Sequence, residues 1–229
     1  MAIEWWKPWL WLLLTLCSYF VSRWLYKRKR YYILSPLLFV PIILFAFAVP
    51  LHTTYKEYSQ NTHWLVLMLG PATVAFAVPI WKQRKLIMQH WLALSIGMLV
   101  GSTLSIISSF GLAHMLSLDD KTTMSLVPRT ITTPFAMPVA EALGGIPELA
   151  AVFVLITGVL GGLLGGIILK WLPLKTTLAR GAIFGVGAHG CGVSRAQELG
   201  VGEGSVAGLA MVLMGLINLI AAPLIHYIL

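Results

Sequence analysis

Apolar runs of about membrane length, separated by short polar stretches, dominate the 229-residue chain. A helix needs roughly 20 apolar residues to cross about 30 Å of hydrocarbon. The pattern predicts six uninterrupted helices: Trp5 to Ser22, Ile33 to Leu51, His63 to Trp81, Trp91 to Leu116, Pro147 to Leu169 and Ser205 to Ile228. Each is bounded by charge, proline or aromatic residues suited to an interface. Trp5, Trp6, Trp64, Trp81, Trp91 and Trp171 fall at these boundaries and read as interfacial anchors. Two further segments, Ser125 to Gly145 and Gly181 to Gly200, lie at membrane depth but are interrupted by proline, glycine and ionisable residues. The expected fold is an all-α polytopic membrane protein, one transmembrane domain over residues 1–229. About six full helices would be joined by two interrupted or re-entrant segments, an arrangement compatible with an inverted-repeat transporter.

Composition agrees with this pattern. Apolar residues make up 58% of the chain and charged residues 10%, and mean hydropathy is +0.85, too little polar surface to solvate a water-soluble globule. The net charge of +8 would suggest nucleic acid in a soluble protein, but the basic residues flank apolar runs and read as topology signals. Arg23 to Arg30, Lys82 to Lys85 and Lys170 to Arg180 hold eleven of the sixteen basic residues, which assigns those loops to the cytoplasm. The basic block follows the first apolar core instead of preceding it, as a retained first helix with its N-terminus outside would require. With Leu116 outside and Lys170 inside, one uninterrupted helix between them suffices. Ser125 to Gly145 should then return to the side it entered from, as a hairpin. Gly181 to Gly200 is open to either crossing or re-entry. Cys17 and Cys191 form no spaced framework, so neither a disulfide nor a zinc site is inferred.

The first interrupted segment carries Pro128, Pro134 and Pro138. Each proline removes an N–H and disfavours helical geometry in the preceding residue, so a break is expected around Arg129 to Thr133. Freed backbone groups in hydrocarbon cost several kcal/mol apiece unless paired, and Thr122, Thr130, Thr132 and Thr133 are the available partners. Arg129 is the sharpest feature, because a charge at the centre of a membrane helix costs roughly 2.5 to 3.5 kcal/mol. A small anionic substrate, held by the guanidinium, threonine hydroxyls and a half-helix N-terminus, would offset that cost. The competing explanation is that Arg129 snorkels to the outer interface or pairs with Glu141 or Glu148.

Glycines at 181, 185, 187, 190, 192 and 200 crowd the second segment around His189. Backbone of this kind can approach a ligand or a helix closely, with Gly187 and Gly192 as hinge positions and Gly190 beside the imidazole. His189 reads either as a proton-linked or substrate-binding group or as a hydrogen-bonded packing residue. No third ligand has helical spacing to His189 and Cys191, so no metal site is expected. Pro71 should kink the third helix and leave a carbonyl near Thr73. Asn218 in the last helix could bond to either interrupted segment. Glycines 158, 161, 162, 165 and 166 form a small-residue face for close helix contact and carry no chemistry.

These residues resemble the LrgB/CidB/YohK family from about Ser35 to the C-terminus. The resemblance rests on Leu69 to Pro79, Pro128 to Ala136, Gly144 to Pro147 with its glycine-rich helix, and Gly185 to Ala196. Arg129 stands where the family usually has Lys and Thr130 where it often has Ser. Thr132, Thr133, Pro134 and Ala136 match its Thr-Thr-Pro-x-Ala core, and His189 and Gly192 match its second motif. Val186 and Val193 replace expected threonines.

Two functions follow from that resemblance. Members were named as regulators of murein hydrolase export and as holin-like or antiholin-like partners of a smaller LrgA/CidA/YohJ-type membrane protein. Related bacterial and plastid proteins are associated with movement of pyruvate, glycolate and glycerate. The residues favour an anion pathway in the bacterial plasma membrane, since broken helices with Arg129 and His189 suit one and a holin needs no fixed site. Arg129, Thr130, Thr132, Thr133, His189, Gly190, Thr73 and Asn218 are the candidate substrate-binding residues. Pro71, Pro128, Pro134, Pro138, Gly187 and Gly192 are the candidate breaks. No cofactor and no catalysis are expected, in the absence of an H-E-x-x-H or paired intramembrane aspartates. A homo-oligomer is expected from the glycine faces.

Overall fold

The fold is that of a computed structural model, which describes residues 6–29, 31–75 and 77–228. Among the described residues the regular structure is helical throughout. The chain divides into two compact units, Met1–Pro71 and Ala72–Leu229.

The first unit holds α1 (Lys7–Arg28), a short 3-10 turn (Tyr32–Leu34), α2 (Pro36–Ala48) and α3 (Tyr55–Leu67). Trp11 is buried, its ring meeting Tyr58 edge-on at 6.1 Å, and Ser22 Oγ donates to the Leu34 carbonyl at 2.7 Å. Thr54 and Glu57 cap α3 reciprocally, so two of its orphan N–H groups are satisfied. The Thr54 backbone N–H and hydroxyl hold the Glu57 carboxyl below its ordinary range. The run from His63 to Trp81, expected as one helix, is interrupted at Met68 between α3 and α4 (Leu69–Ala75); α5 (Ala77–Lys82) follows, with Phe76 outside the described residues. α3 ends at Leu67, four residues before Pro71, where a proline removes the donor that the helix needs. Pro71 therefore interrupts this run at Met68 instead of kinking it near Thr73.

The second unit continues with α6 (Arg84–Gln89), α7 (Trp91–Met115), α8 (Asp120–Leu126), α9 (Thr133–Ala142), α10 (Pro147–Trp171), α11 (Thr177–Leu199) and α12 (Val201–Ile228). Among the described residues, three of the six expected spans form unbroken helices long and apolar enough to cross a membrane: Trp91–Met115, Pro147–Trp171 and Val201–Leu224. α2 is too short, since its 13 residues reach only about 20 Å. Trp6, Trp64, Trp81, Trp91 and Trp171 are all exposed, as anchors should be, while Trp5 lies outside the described residues.

Both interrupted segments double back. In the first, the chain turns between α8 and α9 and returns so closely that a Cβ on Gly145 would lie 2.7 Å from the Ser125 nitrogen. Ser125 Oγ accepts from the Ile146 N–H at 2.7 Å, locking the two ends together. The two ends of this segment thus lie side by side. In the second, α11 is two helical arms joined at His189, whose φ of 36° and ψ of −121° interrupt the helix. A Cβ on Gly192 would lie 2.0 Å from the Phe184 carbonyl oxygen, which in a straight helix would sit about 12 Å away. Thr177 at the start of α11 adjoins Gly202 at the start of α12, so this segment also ends where it began.

The two hairpins approach from opposite ends of α10, one joining its first residue and the other following its last. Gln83, inside the Lys82–Lys85 basic cluster, donates to the Ser205 carbonyl at 3.1 Å, and Arg180 pairs with Glu203 at 3.7 Å. Two basic loops therefore collect at one end of this unit. The core lies between the hairpins, where Phe135, Val139 and Leu143 of α9 pack with Val154 of α10 and Met211 and Met214 of α12.

Candidate functional site

The break in the first hairpin spans residues 127–132, within the stretch the prolines predict, but only one proline is responsible. Pro128 lies in the break, Pro134 sits in the first turn of α9, where a missing N–H costs nothing, and Pro138 lies inside a helix that continues through it. Asp119 starts the hairpin by accepting from the Thr122 N–H at 2.7 Å. That backbone bond and the Thr122 hydroxyl hold the Asp119 carboxyl below its ordinary range.

Side-chain partners of the break come from α7. Ser109 Oγ donates to the Leu126 carbonyl at 3.3 Å and accepts from Arg129 Nε at 3.0 Å. Arg129 Nη2 donates to Ser108 Oγ at 2.8 Å, and Thr130 Oγ1 lies 2.6 Å from Ser105 Oγ. One turn further, Ser102 Oγ donates to Asn218 Oδ1 at 2.9 Å, and Asn218 Nδ2 donates to the Met214 carbonyl. Residues 102, 105, 108 and 109 share one helix face, so a ladder of hydroxyls runs along α7 beneath the break.

Two expectations change here. At the break the Leu126 carbonyl accepts from the Arg129 N–H at 3.2 Å and from Ser109, not from the threonines of the same segment; Thr122 is engaged with Asp119. Asn218 bonds to α7, not to an interrupted segment. Neither Glu141 nor Glu148 pairs with Arg129, both being exposed, and among the described residues no carboxylate reaches the guanidinium. Half-buried beside Ser108, Arg129 lies about 8 Å from the midpoint of α7 along its axis, neither at that helix's end nor at its centre.

Thr132 is the N-cap residue of α9 without a side-chain cap bond, and Thr133 opens the helix. The positive end of α9 and the guanidinium thus belong to one short loop. The Thr73 side chain lies outside what the structure describes.

His189 forms the tip of the second hairpin. It is 4% exposed, its ring donates to the Val154 backbone of α10, and Nε2 has no partner among the described residues. A left-handed φ is rare outside glycine and costs of order 1 to 3 kcal/mol. The hinge therefore sits on the imidazole itself, not on Gly187 or Gly192. Gly187 and Gly190 have nothing within 4 Å of an added Cβ, while Gly192 is where the arms touch. The α10 glycines act as the small-residue face expected: a Cβ on Gly158 would meet His189 Cε1 at 2.5 Å, and on Gly165 the Phe184 ring at 2.5 Å. Arg129 is held by α7 and His189 by α10, and they share no hydrogen-bond partner.

The α7 serines are the group that sequence reasoning passed over. Their signal is present, as Ser102, Ser105, Ser108 and Ser109 recur along one face of a largely apolar helix.

YwbG of Bacillus subtilis is 36% identical over 93% of this chain and 94% of its own length. A second B. subtilis protein, YxaC, is 35% identical over 95% of this chain and 94% of its own. The antiholin-like protein LrgB of Bacillus cereus is 30% identical over 95% of each chain. No solved structure matches. The LrgB-like family model covers residues 15–228, including both hairpins and all three membrane-length helices, and the chain is a membrane protein belonging to that family.

Proposed function

We propose that the protein carries small monocarboxylates, such as pyruvate, glycolate or glycerate, across the bacterial plasma membrane. One observation carries the reading: a half-buried guanidinium in a broken helix is held by two neutral serines and by no carboxylate among the described residues. Hydroxyls orient an arginine but do not neutralise it, so an anion is the missing partner. Arg129 is the electrostatic anchor, and Thr130, Thr132 and Thr133 with the α9 N-terminus surround the carboxylate. Thr73, Gly190 and Asn218 are secondary positions along the path. His189, with its free Nε2, is the proton-coupling group. A small LrgA/CidA/YohJ-type protein and further copies of this chain are the proposed partners, with the N-terminus outside.

Uptake of labelled pyruvate or glycolate into proteoliposomes, with and without the small partner, tests this reading. Arg129→Ala and His189→Ala should each reduce uptake to background; unchanged uptake in both sinks the site.

The name of the B. cereus relative favours a second reading, an antiholin-like regulator of murein hydrolase export. Helix association would then supply the activity, and the hairpins would only pack. Dye leakage from liposomes, insensitive to both substitutions, would select it.

A further inference from the structure

A cavity of about 250 Å³ lies in the second unit between α7, the first arm of α11 and α12, lined by Gly97, Met98, Thr176, Ala179, Ala182 and Val186 among others. It starts level with Ala93 and Thr176, at the end of the unit where the Lys82–Lys85 and Lys170–Arg180 loops collect. It reaches inward as far as Val186. There the first arm of the second hairpin presses on α7: a Cβ on Gly101 would lie 2.7 Å from Val186 Cγ1 and 3.7 Å from Met214 Cε.

The geometry beyond that contact is set by helix periodicity. Residues 97, 101 and 105 form one i, i+4 row of α7, with 108 and 109 next along it. Gly97 belongs to the cavity wall and Gly101 to the contact with Val186. Ser105, about 6 Å further along the axis, is bonded to Thr130. Cavity, contact and hydroxyl ladder therefore follow one another along a single ridge, with the Val186 side chain between the first and the last. The cavity includes neither Arg129 nor His189, so it is separate from the anion site and leads toward it.

We propose that this cavity is the inner antechamber of the anion path, and that Val186 seated on Gly101 is the constriction separating it from the hydroxyls around Arg129. The inference rests on the carboxylate reading for what passes, but not for the existence of the passage. Val186 then sets the width, and so the size of carboxylate admitted. An added Cβ at Gly101 would meet Val186 Cγ1 at 2.7 Å, so a side chain there is accommodated only where residue 186 loses that methyl.

Thiol accessibility tests the passage without reference to transport. In protein lacking Cys17 and Cys191, Gly97→Cys and Ser105→Cys are made singly, and a small membrane-impermeant maleimide is applied to sealed vesicles of either orientation. Gly97→Cys should react from the basic-loop side only, and Ser105→Cys slowly from that side. Adding Val186→Ala should raise the Ser105→Cys rate about tenfold and leave the Gly97→Cys rate unchanged, which also reports that the variant is folded. An unreactive Gly97→Cys, or a Ser105→Cys rate that Val186→Ala does not move, overturns the proposal. As a second measurement, Gly101→Cys with Val186→Cys should be cross-linkable, given that a disulfide needs Cβ atoms about 3.5 to 4.5 Å apart. Oxidation should block uptake and reductant restore it; uptake undiminished by a formed cross-link overturns the constriction. Labelling as expected with no uptake in any variant would retain the passage and reject the carboxylate.

Discussion

Alanine at Gly192 should disrupt the second hairpin, whereas alanine at Gly187 or Gly190 should not. The added Cβ at 192 would sit 2.0 Å from the Phe184 carbonyl oxygen and 3.0 Å from Ala188 Cβ, where ordinary contact begins at 3.4 Å. Relief requires the arms to part by about 1.4 Å, and both obstructing groups belong to the opposite arm. That arm cannot retreat, because Gly161 already brings α10 against Ala188, and Gly185 brings α12 within 2.3 Å of an added Cβ. Overpacking of this kind costs typically about 1 to 3 kcal/mol, occasionally more, which for a chain of this length corresponds to a melting temperature lower by about 2 to 12 °C. At Gly187 and Gly190 the added methyl meets open space, and alanine is favoured over glycine in a helix by up to about 1 kcal/mol. Thermal denaturation in detergent, followed by size-exclusion fluorescence, should show the first variant destabilised and the other two unchanged or slightly improved. If Gly192→Ala melts with the wild type, or Gly187→Ala loses as much, the doubled-back geometry of α11 is wrong.

Three further outcomes follow from the hydrogen bonds. Ser109→Ala removes both the acceptor of Arg129 Nε and the donor to Leu126 at a buried position, so melting should fall by an amount equivalent to about 1 to 3 kcal/mol; exposed Ser108→Ala should leave it unchanged. Arg129→Lys retains the charge but cannot span Ser108 and Ser109 with a fixed fork, so uptake should persist with KM raised about tenfold, while Arg129→Gln should abolish it. Because folding lowers the Asp119 pKa, its contribution is complete above the unfolded value near about 3.9 and is lost as pH falls through the lower folded one. A melting profile across that acid range should therefore be flatter in Asp119→Asn, which still caps α8 but does not titrate; an unaltered acid limb would remove this carboxylate from the account.

What could be read from the sequence depended on whether the signal was local. Pro128 is local, and it located the first break; the basic loops led only to the expectation that the segment returns to the side it entered from. The outer bounds of α7 and α10 were likewise close, since apolar length and flanking charge determine them. By contrast, His63 to Trp81 read as one helix because its apolar content is continuous, yet Pro71 acts upstream and ends α3 at Leu67. His189 looked like one titratable group among glycines, and glycine was the natural choice of hinge. Here tertiary packing, with the ring fixed to Val154 and inserted against Gly158, holds a non-glycine residue at positive φ in the middle of a helical segment. The α7 serines were missed for a related reason: a serine in a membrane helix can satisfy itself by bonding back one turn, as Ser18 does to Leu14, so its sequence does not announce a partner elsewhere.

The two hairpins bear differently on the competing functions. Packing alone explains Gly181, Gly185 and Gly192, whose close approaches serve α12 or the opposite arm, and a regulator built only for helix association could use the same contacts. It does not explain the first tip. Without hydrophobic drive between helices in lipid, association is obtained most cheaply from small apolar residues, and an arginine at Pro128-Arg129-Thr130 adds desolvation cost with no close-packing gain. The chain nevertheless devotes Ser105, Ser108 and Ser109 to that tip, three side chains that would stabilise the bundle as well or better as alanines if the arginine were absent. Hydroxyls hold the guanidinium in a fixed direction yet leave its charge uncompensated, the condition for binding an anion that must later leave. A carboxylate in the protein at the same place would neutralise Arg129 permanently and compete with any passing acid. Serine as the neighbour therefore argues for a transient anion, and it is the feature that most strongly separates carriage from structural association.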